Sequence, residues 1–383
     1  MPVFDKEVPL SIGINMSKIE CIYVSRTLLP STSASAVHVM KLSEELNFFY
    51  SGNFEIIIVN KREPSESICT RYGVNAIRIV ETGLDIHSCV FSYRFAFWVV
   101  RYAIKNKIKR VITRDPFTAF MMQYLGKEVV LDLHGDLRQL CGRMYHLFKC
   151  NVLVRKIHFI AISNNLKQYY IQCYGSHFKR LVVCHDGVTV SNFSNIEIIQ
   201  ETDLSKPKIG YFGKFTEGKG IRTIQEIASE CNQLMFYMFG GTREEAEETL
   251  NVKFSNNVIF EGYVENKDVP SLMKNMSIVL LPNKSGQMCN NEFIGDFTSP
   301  LKMFEYMASG RPIIASNIQV LREVLDETNC YLVSESNKNE WIAAIDDIIH
   351  NPSKAVSIAT KARQDVNKYT WKDRAFTIIN LLK

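Results

Sequence analysis

Short apolar runs rich in β-branched residues alternate with amphipathic segments along the whole chain, the pattern of an α/β protein with parallel sheets. In the first half the runs are IECIYVS (19–25), FEIIIV (54–59), VNAIRIV (74–80), RVIT (110–113), EVVLDL (128–133), HFIAIS (158–163) and LVVC (181–184). In the second half they are KIGYFG (208–213), LMFYMFG (234–240), NVIFEGY (257–263), SIVLLP (277–282), PIIAS (312–316) and CYLV (330–333). Helical periodicity fills most gaps between them, so each half is expected to form its own doubly wound, Rossmann-like parallel sheet. The stretch SNFSNIEIIQETDLSKPK (191–208) is polar and poorly periodic. It divides the chain into a first domain (1–190), a linker (191–207) and a second domain (208–366). A final helix (367–383) is expected to pack back on the first domain. Two such sheets joined by one linker face each other across a central cleft at their strand carboxyl ends, the usual ligand position.

One helical segment breaks a local rule. SPLKMFEYMASGRPIIAS (299–316) reads as a helix start, a short helix, a glycine stop and a buried strand. Ser299 suits an N-cap, Pro300 the first helical position and Gly310 the C-terminal cap. Lys302 then stands among unsatisfied amides, where a capping box or the helix dipole favours an acidic residue.

Size and composition narrow the classes. A chain of 383 residues suggests two domains, and 46% hydrophobic with 22% charged residues is a globular composition. No apolar run reaches the roughly 18–20 residues of a membrane span; the nearest, CVFSYRFAFWVVRYAI (89–104), contains Arg94 and Arg101. The opening 18 residues lack the basic start and apolar stretch of a secretion signal, and read as a lead-in to a first strand near Ile19. Ten cysteines show no C-x-x-C pair and no zinc spacing, so buried reduced thiols in a cytoplasmic protein are expected. Residues 1–190 hold 24 Lys and Arg against 15 Asp and Glu, and the remainder 21 against 25. A basic half suggests an anionic surface as partner. The excess gathers in RYAIKNKIKR (101–110), just after Phe91, Phe95, Trp98 and Tyr102 at helical spacing. Those aromatics fit either a core-facing stripe or an interfacial helix on anionic lipid. Nucleic acid is not expected, because no known binding motif accompanies the basic residues.

After the first strand comes RTLLPSTSASAVHVMKL, with no G-x-G-x-x-G, which argues against a nicotinamide or flavin enzyme. Small residues Ser33, Ala34 and Ser35 would still let a ligand approach the following helix. In GYFGKFTEGKGI (210–221) a strand ends at Gly213, and Lys214 and Lys219 flank a glycine-rich turn that opens a helix, a competent phosphate clamp. The amides of Leu301 and Lys302 would add to it, and Glu305, one turn on, suits the two hydroxyls of a ribose. His134 follows an apolar strand in a polar turn where Gly135 permits close approach. Each has an ordinary alternative: a solvated loop, an exposed Lys302–Glu305 pair, a structural histidine.

GKFTEGKG, VIFEGYVENKDVPSLMKNMSIVLLP and SPLKMFEYMASGRPIIAS resemble the nucleotide-sugar half of glycosyltransferase family 4, with the GT-B fold. STSASAVHVMKLSEEL, LDLHGD, FIAISNNLKQYY and VCHDGV resemble its acceptor half, so the likeness runs from about residue 19 to 383. The resemblance implies retaining transfer of a sugar, with UDP-sugars favoured over GDP-sugars, without a metal or other cofactor. The basic, aromatic-rich first domain suggests a glycan or lipid-linked glycan acceptor of the cell surface, handled in the cytoplasm at the inner face of the membrane. The resemblance assigns Gly213, Lys214, Lys219, Ser299, Pro300, Leu301 and Lys302 to the donor diphosphate, Glu305 to the ribose and His134 to the transferred sugar. The family's first glutamate falls on Phe297, one residue from Asp296, which is the expected substitute; Glu292 is a further neighbour. A GT-B sugar-nucleotide epimerase and an inactive donor-binding subunit are the alternatives.

Overall fold

The computed structural model describes residues 18–85, 91–286, 288–289, 292–293, 295–297 and 299–383. The lead-in segment lies almost wholly outside these residues, as do the side chains of Phe91 and Glu292.

Two large parallel sheets dominate the described residues, beside two short two-stranded pairs. In the first, the strand order is Arg78–Glu81, Phe54–Ile58, Cys21–Val24, Arg110–Thr113, Glu128–Leu133, Ile157–Ala161, Val182–Val183. In the second it is Val258–Phe260, Met235–Phe239, Lys208–Phe212, Ile278–Leu281, Ile313–Ser316, Tyr331–Val333. Every neighbouring pair in both sheets is parallel. Parallel strands covered on both faces read as unbroken apolar runs, and Cys21–Val24, Phe54–Ile58 and Ile278–Leu281 are buried at every position. In each sheet the order reverses beside the earliest strand, Cys21–Val24 or Lys208–Phe212. The loops after those strands therefore open at a topological switch point.

Polar side chains at the strand–helix turns start the helices. Ser33 caps Ala34–Phe49, Asp115 caps Pro116–Tyr124 and Ser163 caps Asn164–Tyr174, each accepting a first-turn amide. Leu301–Ser309 differs from the expected pattern. Pro300, not Ser299, holds its cap position, and no side chain caps it. The buried Ser299 hydroxyl instead accepts the Asp186 amide at 3.1 Å, across the domain boundary.

The chain finishes on the first domain. Trp371, Ala375, Ile378 and Leu382 are buried with Tyr23, Phe54 and Ile56. The crossing is close: a Cβ on Gly187 would lie 2.6 Å from the Thr370 carbonyl carbon, so only glycine passes there. Further ties across the domains are Arg71–Glu265 at 3.1 Å and the Glu323 carboxylate on the Asn164 and Asn165 amides at 2.6 and 2.9 Å. Among the described residues no helix is long and apolar enough to cross a membrane.

Candidate active site

On the second domain, strand Lys208–Phe212 ends at Gly213, whose φ of +139° suits glycine. The 214–220 turn lies against the end of the neighbouring strand, with the Lys284 amide donating to Gly218 O at 3.1 Å. Gly220 is left-handed, and a Cβ there would sit 1.7 Å from Pro282 O, so the turn cannot be built with another residue. Helix Ile221–Glu230 follows directly. Lys214 is exposed and Lys219 half-buried.

Lys302 reaches this turn from the start of helix Leu301–Ser309. Its stem runs past Gly213, where an added Cβ would stand 3.8 Å from Lys302 Cδ. Its ammonium lies 4.1 Å from the centroid of the Tyr211 ring and is buried without a hydrogen-bond partner. Burial first, and then the charge of Lys219, push its pKa well below the usual lysine value. Tyr211 was not singled out in the sequence, where it reads as one more strand residue. It forms the floor of the cation's pocket and donates its hydroxyl to Lys214 O at 3.1 Å. Two cations therefore converge beside a helix start that no side chain caps, an arrangement that favours an anion.

Glu305, on the same helix, accepts Asn266 Nδ2 at 3.1 Å. Burial holds its carboxyl above the usual value, outweighing the opposing pull of the Asn266 hydrogen bond and the Lys41 charge. Lys41 belongs to the first domain, so Glu305 lines a small cavity between the domains together with Lys41, Asn266, Leu301 and Trp371.

On the first domain, His134 follows strand Glu128–Leu133. Its Nε2 is buried 3.1 Å from Asp132 Oδ1 but finds no aligned hydrogen bond. Burial, and then the charge of Arg114, lower the imidazole to about 4, so it is neutral at pH 7. Arg114 also donates to the Ser35 hydroxyl at 2.8 Å, which places it at the start of helix Ala34–Phe49. Ser33 is occupied as that helix's cap.

Behind His134 lies a charge network whose members are scattered along the sequence. His38 Nδ1 is 2.9 Å from Asp186 Oδ1 and its Nε2 3.2 Å from Asp132 Oδ2. Arg374 donates to Asp132 Oδ1 at 2.7 Å and lies 3.7 Å from Asp186. Burial pushes Asp132 up, but Arg374 and His134 outweigh it and hold the carboxyl well below its usual range. Burial likewise opposes Asp186, yet His38 and Arg374 bring it to about 2. His38, His134 and Asp186 present ligand atoms within 4.8 Å of one another, a spacing a metal could use. Both His38 nitrogens already face carboxylates and Arg374 supplies a fixed positive charge, so the donor set fits a charge-balanced network better than a cation site. Two signals were legible: an aspartate in the apolar strand VVLDL, and an arginine on the apolar side of the final helix.

Asp296 does not project as a lone carboxylate. Its Oδ1 accepts the Gly286 amide at 2.9 Å, and its carbonyl accepts Asn165 Nδ2 at 3.2 Å. The Phe297 ring packs tilted against that of Tyr169, with centroids 4.8 Å apart, and the Phe297 carbonyl accepts the Ser163 hydroxyl at 3.0 Å. These residues fasten their loop to the first domain.

Residues 206–351 match the family model described as glycosyl transferases group 1. A glycosyltransferase from Rickettsia africae ESF-5 has a similar structure, with a TM-score of 0.73 at 16% identity, over 95% of this chain and 98% of that one. Anabaena Alr3699/HepE in complex with UDP and glucose is similar at a TM-score of 0.71 and 15% identity, over 95% and 99%. An uncharacterized 41.2 kDa protein in the cps region of Klebsiella pneumoniae is 23% identical over 267 residues, covering 66% of this chain and 64% of that protein. The matching region thus spans less than two thirds of that relative's length. With its two parallel sheets, the chain has the GT-B fold, and residues 206–351 of its second half are similar to group 1 glycosyl transferases.

Proposed function

We propose that the protein is a retaining, family 4-type glycosyltransferase that moves a hexosyl group from a nucleotide sugar, UDP-linked in preference to GDP-linked, to a glycan or lipid-linked glycan acceptor. The observation that carries this is the Lys302 ammonium, buried and without a hydrogen-bond partner beside Lys219 at an uncapped helix start. A buried cation held in that way costs stability unless an anion pairs with it. The leaving nucleoside diphosphate is such an anion. Lys214, Lys219, Lys302 and the Leu301 and Lys302 amides stand where charge grows on the β-phosphate as the sugar departs, and fixed donors act most strongly there. They supply the positive charge that a divalent ion would otherwise supply. Glu305 takes the ribose hydroxyls, with Pro300 setting the helix start and Ser299 tying it to the first domain through the Asp186 amide. Neutral His134 hydrogen-bonds the transferred sugar from the opposite wall, and Ser33 to Ser35 border the acceptor. Attack from the face the donor left retains configuration.

HepE, which is bound to UDP and glucose, supports a uridine donor by likeness of fold. The basic, aromatic-rich first domain supports an acceptor presented on an anionic membrane, at its cytoplasmic face. Thermal-shift screening against a panel of nucleotide sugars tests the donor, since a ligand stabilises in proportion to its affinity. A UDP-sugar should raise the midpoint, and Lys219→Ala and Glu305→Ala should remove both the shift and donor hydrolysis. No shift with any nucleotide sugar would sink the proposal. Asp296 and Phe297, both engaged in holding their loop, favour one other reading, an inactive donor-binding subunit. Donor binding without hydrolysis or transfer would support it; an epimerised product would support an epimerase.

A further inference from the structure

Helix Phe91–Lys105 meets the core with one stripe and leaves another uncovered. Phe95, Ala96, Val99 and Ala103 are fully buried, and Trp98 and Tyr102 pack beside them. This is the core-facing stripe of the two readings the sequence allowed. Tyr93, Phe97 and Ile104, however, are 61%, 55% and 55% exposed. At about 100° per residue these three fall within an arc of roughly 40°, extending over about 16 Å of helix. The adjoining arc holds Arg94, Arg101 and Lys105, all exposed, and the helix carries no carboxylate. Among the described residues of this helix, the charged side chains beside the apolar stripe are therefore all cations.

The stripe starts at the cleft. Arg26, just after the Cys21–Val24 strand, donates to the Ser92 hydroxyl at 2.9 Å. The Tyr93 ring lies 4.7 Å from that of Phe117, in the first turn of the helix that follows strand Arg110–Thr113. Both neighbours sit at strand carboxyl ends, so the exposed stripe runs outward from the rim of the proposed acceptor side.

We propose that this face of the Phe91–Lys105 helix docks on an anionic lipid surface. Tyr93, Phe97 and Ile104 enter the headgroup region, and Arg94, Arg101 and Lys105 pair with lipid phosphates. Exposed apolar side chains edged by uniform positive charge are what an interfacial helix requires. A protein partner would have to offer a matching acidic rim, and a second copy would oppose cations to cations. The proposal deepens the glycosyl-transfer reading and rests on it for its meaning: docking would hold the cleft rim at the membrane, where a lipid-linked acceptor resides.

The test is flotation of the full chain with vesicles of phosphatidylcholine mixed with phosphatidylglycerol, against phosphatidylcholine alone, at low and high salt. Binding is expected only to the anionic vesicles, and high salt should weaken it. Removing the charges together, as Arg94→Gln, Arg101→Gln and Lys105→Gln, should weaken partitioning roughly 100-fold. Tyr93→Ser with Phe97→Ser should weaken it at both salt levels. These side chains are exposed, so the unfolding midpoint should stay near that of wild type, and donor-induced thermal shifts should be unchanged. Wild-type protein that stays off anionic vesicles, or a triple variant that binds like wild type, overturns the proposal. So does concentration-dependent self-association that Phe97→Ser abolishes, which would make the face an interface between copies. Flotation without any donor-induced shift would instead overturn only the glycosyltransferase reading.

Discussion

Replacing Lys302 with Met should make the ligand-free protein more stable and blind to its donor. The ammonium is buried without a hydrogen-bond partner, at a cost of about 1–3 kcal/mol or more for a charged group. The Tyr211 ring, 4.1 Å away, returns about 1–2 kcal/mol to a desolvated cation. Taking the cost near its upper end leaves about 1–2 kcal/mol of net strain, and methionine keeps the stem's packing without it. At roughly 3 °C per kcal/mol for a domain of this size, the midpoint should rise by about 3–6 °C. Donor at a hundred times its Kd should stabilise wild type by about 2.7 kcal/mol, and the variant hardly at all. The assay is thermal unfolding, with and without UDP-glucose, across a pH series. The sign of the pH effect follows from the lowered pKa. An unfolded lysine keeps its proton to about pH 10.4, whereas folded Lys302 releases it earlier. Between those two values the unfolded state binds more protons, so wild-type stability gains a contribution as pH rises. The methionine variant lacks that contribution, and its advantage should shrink in the same window. A variant less stable than wild type at neutral pH, or one that keeps the donor-induced shift, would refute the reasoning.

The remaining expectations concern the first domain and the turn facing it. Arg374→Met leaves Asp132 and Asp186 buried without their cation and should cost about 3–5 kcal/mol in urea unfolding, with the final helix loosening first in hydrogen exchange. Asp186, brought to about 2, should contribute about 2 kcal/mol that is present above pH 5 and lost as pH falls toward 2; Asp186→Asn should flatten that part of an acid unfolding curve. Because His134 titrates near 4, it should produce no inflection in kcat/KM between about pH 5.5 and 8, whereas His134→Ala should lower kcat itself. Gly220→Ala forces a Cβ to 1.7 Å from Pro282 O at a left-handed residue, and should reduce soluble, folded protein measured by gel filtration.

How much could be read locally depends on how far apart the interacting groups lie in the chain. The buried strands were legible because a strand covered on both faces must be apolar throughout, and Phe54–Ile58 meets that condition by itself. VNAIRIV was placed too early: the strand is Arg78–Glu81, because Gly73 ends the preceding helix in a left-handed turn and the chain needs several residues to re-enter the sheet. The Leu28–Leu29 and Asn60–Lys61 pair carries no periodicity and left no signal. The misplaced cap at Ser299 has a similar cause, since its hydroxyl answers an amide 113 residues away.

The sequence by itself determined the two α/β halves, the glycine-rich turn with its lysines, and the oddity of Lys302, because each depends on residues within a few turns of one another. Only the tertiary structure decided what surrounds them. It set Tyr211 under the Lys302 ammonium, brought Lys41 of the first domain toward Glu305, and placed Arg374 of the final helix on Asp132. It also separated Phe95 from Phe97, one buried and one exposed on the same helix. Burial and charge pairing depend on which distant elements come together, and the partners of Asp132 lie 94 and 242 residues from it. No local pattern of hydrophobic and polar positions encodes such distances.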